Sequence, residues 1–194
     1  MTELPGTPLS GPLTVAQLDG LKVALDRLWS VPVQGLPPRR YHPGEAHAVA
    51  VAKFAESTRP DGIAGRAFDA IEAHLREPAL GDLAPAETVV GHSDSNLANY
   101  LWDGRVVRIV DFEDAGRSDR AYELASMVEH LSAHPTDWTA FLGRFDLDPE
   151  RLRRSRVLFA SLWFYWLLPG NAAARRNPPE TLGLQAERVL KLLG

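Results

Sequence analysis

The sequence predicts an α+β fold that is mostly helical, with one small β element near its middle. Three observations predict it. Apolar residues recur at helical spacing on both sides of the centre, strand-forming residues concentrate between residues 88 and 110, and Asp103-Gly104 separates two of those runs as a hairpin turn.

Each element has a local cause. Thr14-Val15-Ala16-Gln17 has the form of a capping box, in which the hydroxyl and the amide side chain satisfy free amides at a helix start. Leu18, Leu21, Leu25 and Leu28 continue at helical spacing, so a helix is expected over residues 14–30, ended by Pro32, Pro37 and Pro38. Further helices are expected over 45–56 and over 64–77, the latter burying Phe68, Ile71 and Leu75. Short β runs follow at 88–90, 99–102 and 106–110, and helices return over 120–133, 136–144, 149–168 and 179–193.

Composition narrows the function classes. A chain of 194 residues suits one good-sized domain. The net charge of -4 argues against a general nucleic-acid binder, which is normally basic. There is no cysteine, which excludes disulfides and thiolate metal sites and fits a reducing cytoplasm. The first residues lack a basic region followed by an apolar run, and the apolar stretch Val157 to Leu168 is too short to span a membrane. A cytoplasmic protein with neither nucleic acid nor membrane as partner is expected.

The segment His92-Ser93-Asp94-Ser95-Asn96-Leu97-Ala98-Asn99 places many polar residues between strand runs. Singly, Asp94 and Asn99 read as turn formers, and Asp111 as a turn or cap residue. Together they are harder to dismiss. A hairpin returns its far end beside its start, so Asp111 is expected close to Asn99, with Asp94 in the same loop. Two carboxylates and an amide oxygen suit Mg²⁺, which takes its remaining ligands from water and a substrate phosphate. An aspartate beside such a site can orient a hydroxyl nucleophile and accept its proton.

His92-x-Asp94-x-x-x-x-Asn99, a hairpin, and then Asp111-Phe112-Glu113 resembles the catalytic core of the aminoglycoside phosphotransferases and their choline-kinase-like relatives. The continuation Ala115-Gly116-Arg117-Ser118-Asp119-Arg120-Ala121-Tyr122-Glu123-Leu124-Ala125 is similar to that family's segment leading into the next helix. Leu4-Pro5-Gly6 and Arg27-Leu28-Trp29-Ser30-Val31-Pro32 resemble its linker and first helix after the hinge.

The resemblance implies a kinase-like carboxy-terminal lobe whose β hairpin carries the site. Residues 1–13 would be a hinge-like linker, and 14–194 a single helical lobe. It implies small-molecule O-phosphotransfer from ATP or GTP with Mg²⁺, to a hydroxyl acceptor that a cationic compound would fit, antibiotic resistance being among such enzymes' roles. By the same resemblance, Asp94 is the catalytic aspartate and Asn99 and Asp111 are metal ligands. His92 and Asp119 support the catalytic loop, and Glu113 either faces a cationic acceptor or is an exposed charge without a role. Ser93 departs from the family's usual glycine.

The family also has an amino-terminal lobe with a nucleotide-gripping loop and a strand lysine. Here Lys22, Lys53 and Lys191 all fall in expected helices, and Gly6 and Gly11 are followed by no Gly-Lys-Ser/Thr. A truncated kinase is therefore expected, with a non-catalytic binding remnant as the alternative. Gly91-His92-Ser93-Asp94-Ser95 nearly matches a nucleophile elbow, which offers a remote serine-hydrolase reading through Ser93. His130 and His134 are spaced as zinc ligands, but Leu131 replaces the glutamate of a zinc protease, and a capping role near Pro135 is the other reading.

Overall fold

The computed structural model describes residues 4–77 and 87–194, so the first three residues of the expected linker lie outside it. In chain order the elements are β1 (Thr7–Pro8), α1 (Val15–Trp29), α2 (Pro43–Ala55), α3 (Gly62–His74), β2 (Thr88–Gly91), β3 (Tyr100–Trp102), β4 (Val107–Ile109), β5 (Gly116–Asp119), α4 (Arg120–Glu129), α5 (Thr139–Leu142), α6 (Pro149–Leu167), α7 (Ala172–Arg176) and α8 (Thr181–Leu193). Short 3-10 turns occupy Leu97–Asn99 and Leu131–Ala133. The fold is mostly helical with small antiparallel sheets, as expected. The chain divides into two compact units, Met1–His42 with Pro85–Asp148 and Pro43–Ala84 with Pro149–Gly194.

In the first unit, Thr14 opens α1 with both halves of the capping box formed, and Leu21, Leu25 and Trp29 are buried. The hairpin β3–β4 pairs Tyr100 with Ile109 and Trp102 with Val107, and β1 adds to the outer edge of β3. Gly104, at φ +95°, supplies the left-handed residue of the connection. The Asp103 carboxylate accepts the Arg105 and Val106 amides, which closes the loop. Asp103 is not in the left-handed region, and its amide donates to the Val106 carbonyl at 3.4 Å, which leaves Gly104 and Arg105 at the tip.

One expectation is corrected here: the β runs do not form a single element. β2 pairs not with the hairpin but with β5, in the register Thr88 to Asp119 and Gly91 to Gly116. The residues of β5, Gly-Arg-Ser-Asp, lack strand-forming character, so pairing rather than propensity makes them a strand. β1 was hidden in the same way, by Pro8. The helix expected over 120–133 ends at Glu129, because His130 turns extended (φ -64°, ψ 138°) and its side chain accepts the Ser132 amide. The helix expected over 136–144 is reduced to the four residues of α5.

The second unit is helical. α3 and α6 both pack on α8, and α2 packs on α6. Phe54 joins these layers, with ring centroids 5.1 Å from Phe68 and 6.2 Å from Phe164. Gln185, buried in α8, donates to the Ala160 carbonyl, so its amide nitrogen is satisfied inside the core. The short helix α7 had no signal in the apolar periodicity. Among the described residues, no helix is long and apolar enough to cross a membrane.

Candidate active site

The site lies in the first unit, where the loop leaving β2 meets the hairpin. His92 is its centre. The residue is 2% exposed, and its two ring nitrogens each lie 2.6 Å from a backbone carbonyl, Nδ1 from that of Asp94 and Nε2 from that of Val110. The imidazole thereby spans the loop that carries Asp94 and the strand end that carries Asp111. The rings of Phe112 (4.9 Å) and Tyr100 (5.9 Å) pack against it.

The hairpin delivers its two residues to that place. The Val110 amide donates to the Asn99 carbonyl at 3.0 Å, which extends the β3–β4 ladder and sets Asp111 one residue beyond it. The Asn99 side chain donates weakly to the Asp94 carbonyl at 3.4 Å, so its Nδ2 points inward and its Oδ1 is the oxygen left to bind a ligand. Asp94 is exposed, and its Oδ1 accepts the Asn96 amide at 3.1 Å, fixing the carboxylate as an Asx turn does. These bonds tie the backbones of Asp94, Asn99 and Val110 to one another, with Asp111 next along the chain. Glu113 sits apart from these contacts, exposed on the turn beyond Asp111.

Two residues of the site hold left-handed backbone: Ser93 at φ +73° and Asp111 at φ +66°. Such a conformation costs an L-residue roughly 1–2 kcal/mol, least for aspartate and asparagine. Ser93 therefore occupies a position that a glycine would hold without strain. Its hydroxyl is buried with no hydrogen-bond partner among the described residues. The neighbouring imidazole engages two carbonyls, so among the described residues no base is bonded to Ser93, and the geometry a serine hydrolase needs is not formed there.

Asp119 caps α4, its Oδ1 accepting the Tyr122 amide at 2.9 Å, and is 5% exposed. Sequence reasoning missed the residues beneath the loop. Glu123 is buried, accepts the His92 amide at 2.9 Å through Oε2, and pairs through Oε1 with Arg39 Nη1 at 2.6 Å. Arg39 also donates to the Ser93 carbonyl at 3.1 Å. An acid in the middle of an otherwise apolar helical segment was the available signal for Glu123; nothing local marked Arg39.

His130 and His134 are not a pair on one helix. His130 caps the 3-10 turn, with Nδ1 2.8 Å from the Ser132 hydroxyl, and that hydroxyl accepts the Leu97 amide. Burial pulls the His130 imidazole down to about 4, against the opposing pull of the Asp94 carboxylate. Among the described residues, no group of three or more histidines, cysteines or acids is placed to hold a metal. The donor set of Asn99 Oδ1 and the Asp111 carboxylate is a different one: two hard oxygens, which fits Mg²⁺ completed by water and phosphate.

The chain is similar to known phosphotransferases. The profile of a family described as the phosphotransferase enzyme family matches residues 1–156. A thiamine kinase of Escherichia coli O1:K1 is 32% identical over 94 residues, which is 48% of this chain and 31% of that kinase. The chain thus spans about a third of the length of that curated relative. Among solved structures, choline kinase LicA from Streptococcus pneumoniae superposes with a TM-score of 0.60 at 15% identity, covering 91% of this chain and 63% of that one. Macrolide 2'-phosphotransferase MphH from Brachybacterium faecium gives 0.52 at 16% identity, covering 99% and 68%.

Proposed function

We propose, from the premise that the chain belongs to the phosphotransferase enzyme family, that it carries the acceptor-side chemistry of a small-molecule O-phosphotransferase. In this reading Asp94 orients an acceptor hydroxyl. Its Oδ1 is held by the Asn96 amide, which leaves Oδ2 for the substrate. As the acceptor oxygen bonds to the γ-phosphorus and the bond to the nucleoside diphosphate breaks, the hydroxyl proton passes to Asp94. Asn99 and Asp111 would hold Mg²⁺, which when bound neutralises charge on the phosphate oxygens. His92 fixes the spacing of the two sides, and Asp119 anchors the helix behind them.

The observation that carries this reading is the bridge from His92 to the carbonyls of Asp94 and Val110. The bridge ties the loop of Asp94 to the strand end next to Asp111, which supports this reading because positioning supplies most of the catalysis in phosphoryl transfer. ATP or GTP is the donor, in the cytoplasm. A cationic hydroxyl compound is the proposed acceptor, with thiamine the first to assay because a thiamine kinase is 32% identical over 94 residues. Glu113, exposed two residues after Asp111, is the candidate for facing that cation.

The test is Asp94→Asn with Mg·ATP and thiamine, choline and an aminoglycoside as acceptors. Transfer is expected to fall by about a thousandfold or more, the scale of losing a general base together with its orientation of the hydroxyl. The melting midpoint should stay within a few degrees, because the carboxylate is exposed. Turnover that survives the substitution would end the assignment. Wild-type binding of Mg·ATP without transfer to any acceptor would favour a non-catalytic binding role.

A further inference from the structure

We propose that Arg39 is a positioning residue for Asp94: with Glu123 it clamps the left-handed peptide at Ser93 so that the chain enters Asp94 in one orientation. The inference rests on the reading of Asp94 as the catalytic aspartate. Its basis is a set of contacts that the chemistry itself does not use.

Glu123 reaches the loop on one side of Ser93 and Arg39 on the other. The carboxylate accepts the His92 amide through Oε2 at 2.9 Å, and the guanidinium donates to the Ser93 carbonyl through Nη2 at 3.1 Å. The two charged groups meet at 2.6 Å, with side chains 2% and 6% exposed. The strained residue is therefore gripped one residue upstream, at the His92 amide, and at its own carbonyl. The next residue along the chain is Asp94.

The fold makes room for this clamp. The Arg39 amide donates to the Arg117 carbonyl of β5, and a Cβ on Gly116 would come within 2.5 Å of that same amide nitrogen. The guanidinium lies 4.9 Å from the centroid of the Tyr122 ring, whose hydroxyl donates to the Tyr41 carbonyl. Arg39 is thus held from below by β5 and α4 while its Nη2 holds the loop. A glycine at position 93 would hold φ near +73° unaided, and a serine does not. The clamp supplies what the missing glycine would have supplied.

The experiment compares Arg39→Lys and Arg39→Lys/Ser93→Gly with the wild-type chain. Lysine keeps a charge opposite Glu123 but has no second nitrogen in fork geometry for the Ser93 carbonyl. The first readout is hydrogen exchange at the Asn96 amide, which reports the Asp94 carboxylate through their bond and needs no turnover. The second is Mg²⁺-dependent hydrolysis of ATP, with water as acceptor.

Arg39→Lys is expected to speed Asn96 exchange by about tenfold and to lower kcat by about tenfold, the scale of one lost hydrogen bond to a charged donor. KM for ATP should stay within about twofold, because the residue acts on Asp94 and not on the nucleotide. Ser93→Gly in the same chain should restore both. Unchanged exchange in Arg39→Lys, or a double variant as loose as the single one, would overturn the clamp and leave an ordinary structural ion pair. If Arg39→Lys fails to fold, Glu123→Gln with and without Ser93→Gly carries the same exchange comparison. Equal hydrolysis by wild type and Asp94→Asn would remove the catalytic reading of Asp94, while the exchange result would still decide the clamp.

Discussion

His130 shows how far one residue's properties depend on where the chain puts it. Its imidazole sits at the end of α4, bonded to Ser132, and burial holds it down to about 4, against an ordinary value near 6.5. The sign follows directly. Between those values the unfolded chain binds a proton that the folded chain refuses, so the stability involved is complete above about pH 6.5 and is lost as pH falls toward 4. The melting midpoint of the wild type should therefore drop more steeply between pH 7 and 4 than that of His130→Asn. Equal slopes in the two proteins would show that His130 does not titrate in this way. At this scale Asp94, Asn99 and Asp111 were legible because one loop and one hairpin join them. Arg39 and Glu123 were not, being 84 residues apart with only a fold to bring them together.

At the scale of elements, Gly91 of β2 and Gly116 of β5 sit where neighbouring segments leave no room for a side chain. A Cβ on Gly116 would lie 2.5 and 2.6 Å from the Arg39 backbone, and one on Gly91 would lie 2.6 Å from the Glu123 carboxylate. Backbone cannot yield as a flexible side-chain end can, so Gly116→Ala must push β5 away from the 37–39 segment. Its expected cost is about 1–3 kcal/mol, the range for overpacking, read as a lower denaturant midpoint. A midpoint equal to that of the wild type would mean the close approach is not maintained in solution. The hairpin β3–β4 was visible beforehand because its signals are local, a turn aspartate and glycine between β-forming residues. β5 carries no such signal; it is a strand because β2 offers it a ladder, and that offer comes from a distant part of the chain.

For the whole molecule, stability resides in two cores, each within its own unit. Phe141 is fully buried in the first, with edge-on contacts to Trp138 (5.4 Å) and Phe145 (5.2 Å). Phe54 is 2% exposed in the second. Phe54→Ala should destabilise the protein by about 3–5 kcal/mol, the usual cost of emptying an aromatic site that cannot collapse. Urea denaturation measures it, and a loss below about 1 kcal/mol would mean that the Phe68 and Phe164 rings close the gap. The sequence by itself determined the helical character, the capped start of α1, the hairpin and the family resemblance through His92, Asp94, Asn99 and Asp111. All of these rest on interactions between residues a few positions apart, where spacing reads directly as geometry. Only the tertiary structure decided the division into two small sheets, the shortened α4 and α5, and the Arg39–Glu123 pair beneath the loop. Those depend on which distant segments meet, and meeting is settled by burial and ladder pairing across the whole fold, which no local pattern encodes.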